Sequence, residues 1–172
     1  MRMRSEYTAT LHSRLRRMKG LYTVELAFVA PIAFLVLFTI LEAGRAMFVY
    51  NTLEEVTRRG ARLAAVCQLN DSAIAALAIL GGANGGNSSP VVPGLTTTNI
   101  SVSYLNENGT AISNPANSFG NIEFVRVEIQ GFEHELLIPG LSSAMQSFFT
   151  PRFSTTLPRE SLGVTRDGLQ TC

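Results

Sequence analysis

The chain has no tryptophan, two histidines and two cysteines among its 172 residues, and only 16% of them carry charge. Formal charges nearly cancel, at +1 overall, so the whole chain has neither the basic excess of a nucleic-acid binder nor an acidic tail. One of the two histidines, His12, sits in the first twenty residues, which leaves too little material for a His-rich metal site or a Ser/His/Asp triad. A G-x-S-x-G nucleophile motif is missing as well. The glycine-rich stretch GGANGGNSSP is followed by neither Lys-Ser nor Lys-Thr, nor by a helix pattern, which excludes a phosphate-binding loop. Cys67 and Cys172 form no C-x-x-C pair and lack His or carboxylate neighbours at metal-ligand spacing, so no metal site is expected. Two readings of them stay open: a disulfide, if this part of the chain lies in an oxidising compartment, or two unpaired thiols. Glu133, His134 and Glu135 offer acid/base chemistry on paper, but on a strand His134 faces away from its two neighbours.

What the chain does have is an uneven distribution of charge and apolar residues. The first twenty residues hold Arg2, Arg4, Arg14, Arg16, Arg17 and Lys19 against Glu6 alone. From Leu21 to Leu41 the sequence reads LYTVELAFVAPIAFLVLFTIL. As a helix this segment is about 30 Å long, the thickness of a bilayer's hydrocarbon core. The basic flank predicts residues 1–20 in the cytoplasm and everything after Leu41 across the membrane. A cleaved secretory signal is the rival reading. It fits poorly, because the apolar run is too long, contains an acid near its start and lacks an A-x-A site after it. The helical pattern also continues past the span to about Leu69, with Glu54 to Arg58 and Glu55 to Arg59 at the favourable i,i+4 spacing.

Glu25 stands out, because an ionised carboxylate in hydrocarbon costs several kcal/mol or more unless something pairs with it. Cleavage after Gly20 would supply a partner: the new ammonium of Leu21, one helical turn away or on a neighbouring subunit. The plainer alternative is a Glu that stays hydrated, or is protonated, at the edge of an ordinary anchor. Pro31 removes one backbone hydrogen bond in mid-span and predicts a kink, which either helps subunits pack or is simply tolerated. Ala43, Gly44, Ala46, Gly60, Ala61, Ala64 and Ala65 keep the helix slim enough for close approach, and Arg45 is expected to snorkel to lipid phosphates.

Beyond Leu69 the segment SAIAALAIL reads as two turns of helix, and residues 81–90 as a flexible loop. Ile100, Val102 and Tyr104 alternate onto one face of a strand, and Val125, Val127 and Ile129 onto another, with NENG as a turn. LSSAMQSFF is expected to form a short helix, and FSTTLPRES a last edge strand because it contains Pro158. The fold class expected is α+β: a long N-terminal helix packed on a small antiparallel sheet. Its parts are a basic leader (1–20), a transmembrane helix (21–41), a periplasmic continuation (42–69) and a small α+β domain (70–172). Asn70, Asn87, Asn99 and Asn108 begin N-x-S/T sequences and read as plain loop and turn residues.

The leader ending RRMKG, followed by LYTVE, resembles the prepilin peptidase site of type IV pilin-like precursors, with Gly20 and Leu21 flanking the cut and Glu25 at mature position five. The run VELAFVAPIAFLVLFTILEAGRAMFVYNTLEEVTRRGARLAA is similar to the TadE-like minor pseudopilins of the Tad (Flp) pilus system, and TadF-like proteins share much of this layout. The segment VRVEIQGFEHELLIP through TTLPRE also loosely resembles the C-terminal part of TadE-like proteins. The resemblance implies a pilin-like layout of the long helix on its sheet, and a minor structural subunit of a bacterial pilus, without catalysis or cofactor, involved in assembly and adhesion. It implies a place in the bacterial inner membrane or a surface pilus. The implied partners are a prepilin peptidase, other pilin and pseudopilin subunits, an inner-membrane assembly platform and the lipid bilayer, and no nucleic acid. The alternatives are an uncleaved single-pass membrane adaptor of a pilus or secretion machine, and a membrane-anchored enzyme or ligand-binding domain.

Overall fold

The computed structural model describes the backbone of residues 3–80, 86–134, 152–166 and 168–172, and the side chains of these from residue 22 onward. The chain divides into two compact units, residues 1–44 and 45–172. The first is the N-terminal part of a single helix, α1 (Met3–Val66), which runs without interruption through Pro31. The second holds the rest of α1, a short helix α2 (Ser72–Ala78), and strands β1 (Ile100–Leu105), β2 (Phe124–Ile129), β3 (Ser154–Pro158), β4 (Val164–Thr165) and β5 (Gly168–Leu169). The class is α+β, as expected.

Within the second unit, α1 buries one face at helical spacing: Ala46, Val49, Leu53, Val56, Thr57, Ala61, Ala64 and Ala65. Small residues on this face let the sheet and α2 come close. Gly60 shows the limit, since a Cβ built there would lie 3.1 Å from Val127 Cγ1 and 3.2 Å from Ala78 Cβ. The helix ends at Val66, three residues short of the expected Leu69. The reason is a cap from far along the chain. The Ala65 carbonyl accepts from the Glu160 and Leu162 amides, and the Val66 carbonyl from the Gly163 amide and the Ser161 hydroxyl, at 2.6–3.2 Å. These bonds satisfy carbonyls that a helix terminus otherwise leaves orphaned. Asn70 then takes a left-handed backbone (φ 58°), and Asp71 caps α2 by accepting from the Ala73 amide at 2.9 Å.

The sheet has the order β1-β2-β3, all antiparallel. Cross-strand pairs Ile100↔Ile129, Val102↔Val127 and Tyr104↔Val125 share the face that the alternation predicted, and Ser101↔Glu128 and Ser103↔Arg126 share the other. The NENG turn closes as expected: Asn106 Oδ1 accepts from the Asn108 and Thr110 amides, and Gly109 supplies the positive φ of 74°. β3 is an edge strand, and its Pro158 pairs with Phe124 at the strand's last residue, where a missing donor is tolerated. It is not the last strand, because β4 and β5 form a further two-stranded hairpin. Each of these strands is two residues long, too short to leave an alternation in the sequence.

Two apolar clusters fill the second unit. Ala61, Ala64 and Cys67 of α1 pack with Ile74, Tyr104, Ile122, Val125, Val127 and Leu162, while Val49, Leu53 and Val56 pack with Ala78, Ile79, Val92, Leu95 and Ile129. Each buried Val, Leu or Ile among them contributes about 1.5–3 kcal/mol relative to exposure. The segment expected as a flexible loop, 81–90, leads into Val92 and Leu95 of the second cluster. Residues 86–90 are held in place, with the Asn87 carbonyl accepting from the Thr97 amide, the Ser89 amide donating to the Leu95 carbonyl, and Ser88 bridging Thr96. Residues 81–85 lie outside the described residues, as do Glu135 and the LSSAMQSFF segment.

Candidate functional site

The candidate site is α1 itself, read from the span outward. Thirteen large apolar side chains between Tyr22 and Leu41 are exposed, from 49% for Leu37 to 74% for Phe28. At roughly 1.5–3 kcal/mol each, such a surface is untenable in water and calls for a lipid or protein environment. Among the described residues this is one helix long and apolar enough to cross a membrane. Near the far end of the span the Thr39 hydroxyl donates to the Leu35 carbonyl at 2.8 Å, so that donor is satisfied in an apolar surrounding. Pro31 withholds the amide that would serve the Ala27 carbonyl one turn earlier.

Glu25 lies on this surface, exposed, between Val24 and Leu26. Gly20 and Leu21 lie in the helical backbone of α1, and their side chains fall outside the described residues. At the other end of the span the sequence reading passed over Glu42, which is buried at 7% exposure and has a polar partner. The available signal was an acid and a base three residues apart, Glu42 and Arg45. Arg45 was expected to reach for lipid phosphates. It is half-buried instead and has a partner within the protein.

In the second unit the outward face of α1 carries charge in order. Glu54 and Glu55 precede Arg58, Arg59 and Arg62, all exposed. Glu54 and Arg58 form an ion pair along the helix. The corresponding Glu55 to Arg59 pair is not formed, although the spacing allowed it. At the end of α1, Cys67 and Cys172 are joined by a disulfide with a Cα–Cα distance of 5.4 Å. The tail that brings Cys172 there is seated by the Gln68 amide on the Gln170 carbonyl (3.2 Å), and by the Cys172 amide on Asp71 Oδ2 (2.8 Å). Beside it, the Asn70 amide donates to the Tyr104 hydroxyl at 3.1 Å, and burial pushes the Tyr104 pKa up from its ordinary value.

Acid/base or metal chemistry finds little here. Glu133 and His134 follow the end of β2 in irregular backbone, so the strand alternation invoked to separate them does not apply, and both are engaged by other groups. No group of three metal-ligating side chains occurs among the described residues. Asn70, Asn99 and Asn108 occupy turns or element ends, with Asn99 Nδ2 donating to the Gln130 carbonyl at 3.0 Å.

Residues 20–62, which contain Glu25, the whole apolar span and the charged outward face, match the family of TadE-like proteins. No curated protein and no solved structure matches the chain.

Proposed function

From the premise that residues 20–62 are TadE-like, we propose that this chain is a minor pilin-like structural subunit of a bacterial Tad/Flp-type pilus. A prepilin peptidase cuts after Gly20, and the mature chain sits in the inner membrane with its N-terminus cytoplasmic and residues 42–172 periplasmic. There it packs with other pilin and pseudopilin subunits on the assembly platform and serves in pilus assembly and adhesion. It performs no catalysis.

The observation that carries this reading is the placement of Glu25. It is the one acidic or basic side chain between Leu21 and Leu41, on a helix surface otherwise exposed and largely apolar. A carboxylate there needs a cation in the same layer, and an ammonium created at Leu21 lies four residues away, on the same helix or on a neighbour's. Cleavage thus makes the counter-ion at the time the leader's charges are lost. The oxidising periplasm also accounts for the Cys67–Cys172 disulfide.

The uncut membrane adaptor is favoured by one observation: α1 continues as helix through Gly20 and Leu21, with no extended segment at the junction. N-terminal sequencing of the membrane-extracted protein, with and without its peptidase, decides between the two. A start at Leu21 only in the presence of the peptidase is the expected result. A start at Met1 in both refutes processing and leaves the adaptor, and a start beyond Ala43 means that the span is a removed signal.

A further inference from the structure

The outward face of α1 in the second unit has a polarity that no other described residue complements. Met47 and Phe48 come first, 68% and 55% exposed, then Asn51, then the acidic turn Glu54 and Glu55, then the basic turn Arg58 and Arg59, with Arg62 one turn further. The opposite face of the same helix is fully used by the core. Within one copy only Glu54 and Arg58 find each other, and Glu55, Arg59 and Arg62 make no ion pair with any described residue.

We infer that this face docks on the same face region of a second copy of the chain, in parallel and shifted by one helical turn. Both halves of the charge pattern are present in every copy, so a second copy is a complementary partner without any further component. The parallel alignment rests on the membrane-subunit reading above, which gives every copy the same orientation. Without a shift, parallel copies set Glu against Glu and Arg against Arg, which is repulsive. A shift of four residues, about 6 Å of helix, sets Glu54 and Glu55 of one copy level with Arg58 and Arg59 of the next. The same four-residue step separates Ala43 and Gly44 from Met47 and Phe48 in the sequence. Small side chains therefore come level with large ones where acids come level with bases, and a Cβ built on Gly44 would meet nothing within 4 Å. The step also leaves Arg58 level with Arg62 of the next copy, a like-charge contact offset by the Glu55–Arg59 pair and by Glu54, which is shared between Arg58 of its own helix and Arg58 of the next. A staggered contact is heterologous, with unlike sides, and continues from copy to copy instead of closing as a symmetric dimer.

The test uses the full chain in liposomes, with self-association read by energy transfer between labelled copies. Three variants are needed: Glu54→Arg with Glu55→Arg, Arg58→Glu with Arg59→Glu, and the fourfold exchange. The first two are each expected to self-associate at least about tenfold more weakly than the parent at low salt. An equimolar mixture of them, and the fourfold exchange alone, are expected to regain the parent's association. The parent's association should also weaken as salt is raised through the range in which the screening length falls below about 10 Å. Because all four positions are exposed, the variants should melt with the parent, and the mixture gives a positive signal from the same two proteins that fail alone. Parent-like association of either single-sign variant overturns the inference. So does a mixture and exchange that both stay weak, or a parent that associates only with a different subunit. N-terminal sequencing of the same preparations scores processing separately, so the contact and the pilin reading can fail independently.

Discussion

Replacing Cys172 by serine removes a cross-link whose two ends are 105 residues apart in sequence. In the chain-entropy view, a closed loop of that length restricts the unfolded ensemble by about 4.7 kcal/mol. The native contacts of the tail do not depend on the bond, because the Gln68 to Gln170 and Cys172 to Asp71 hydrogen bonds seat it on the end of α1. The loss should therefore fall close to that figure, about 3–5 kcal/mol, and arise mainly in the unfolded state. Serine at position 172 is the better probe than serine at Cys67, which is buried and would add a polar group to the core. For a folded unit of this size the change corresponds to roughly 12–20 °C in Tm. The assay is thermal unfolding of the full chain in detergent, followed by circular dichroism, with the parent measured oxidised and reduced. Reduced parent and Cys172→Ser should coincide well below the oxidised parent, and the intact mass of the oxidised parent should be lighter by two hydrogens. A Tm loss under about 5 °C would refute the argument, since it would mean that the unfolded chain was already restrained or the bond was never formed.

Gly163→Ala should destabilise by about 2–4 kcal/mol in the same melt. Its φ is +80° and the added Cβ would lie 2.6 Å from the Gln68 Cα, so the cap on Val66 must open. A parent-like Tm would show that segment 160–163 is not what ends α1. Gly60→Ala should lose about 1 kcal/mol despite alanine's better helix propensity. The neighbours it would press, a fully buried Val127 and the Cβ of Ala78, have no freedom to withdraw, and a gain in stability would show that they do. Stability should fall as pH rises above about 10, the ordinary tyrosine pKa. The raised pKa of Tyr104 means that the folded state holds its proton where the unfolded state has lost it. Tyr104→Phe should be less stable at neutral pH by about 1 kcal/mol, for the lost Asn70 bond, and show a shallower alkaline slope in denaturant titrations. Equal slopes would assign the alkaline loss to other groups.

The sequence by itself determined whatever depends on near neighbours along the chain. The apolar run, Glu25 five residues after Gly20, the helical period through Ala64, the alternation in β1 and β2 and the NENG turn are all local patterns, and their physics is complete within a few residues. The match of residues 20–62 to TadE-like proteins falls within the first of these local patterns, the apolar run and the helical period that follows it. Tertiary structure decided what depends on contacts between distant segments. Helix α1 stops at Val66 and not at Leu69 because residues 160–163, about a hundred positions later, take its last carbonyls. The order of residues 86–90 comes from Leu95 and Thr97, and the choice between bonded and free thiols from a tail folded back onto α1. The same holds for the charged face: spacing offered both Glu54–Arg58 and Glu55–Arg59, and only the packed helix left Glu55 and Arg59 facing outward without an ion-pair partner among the described residues.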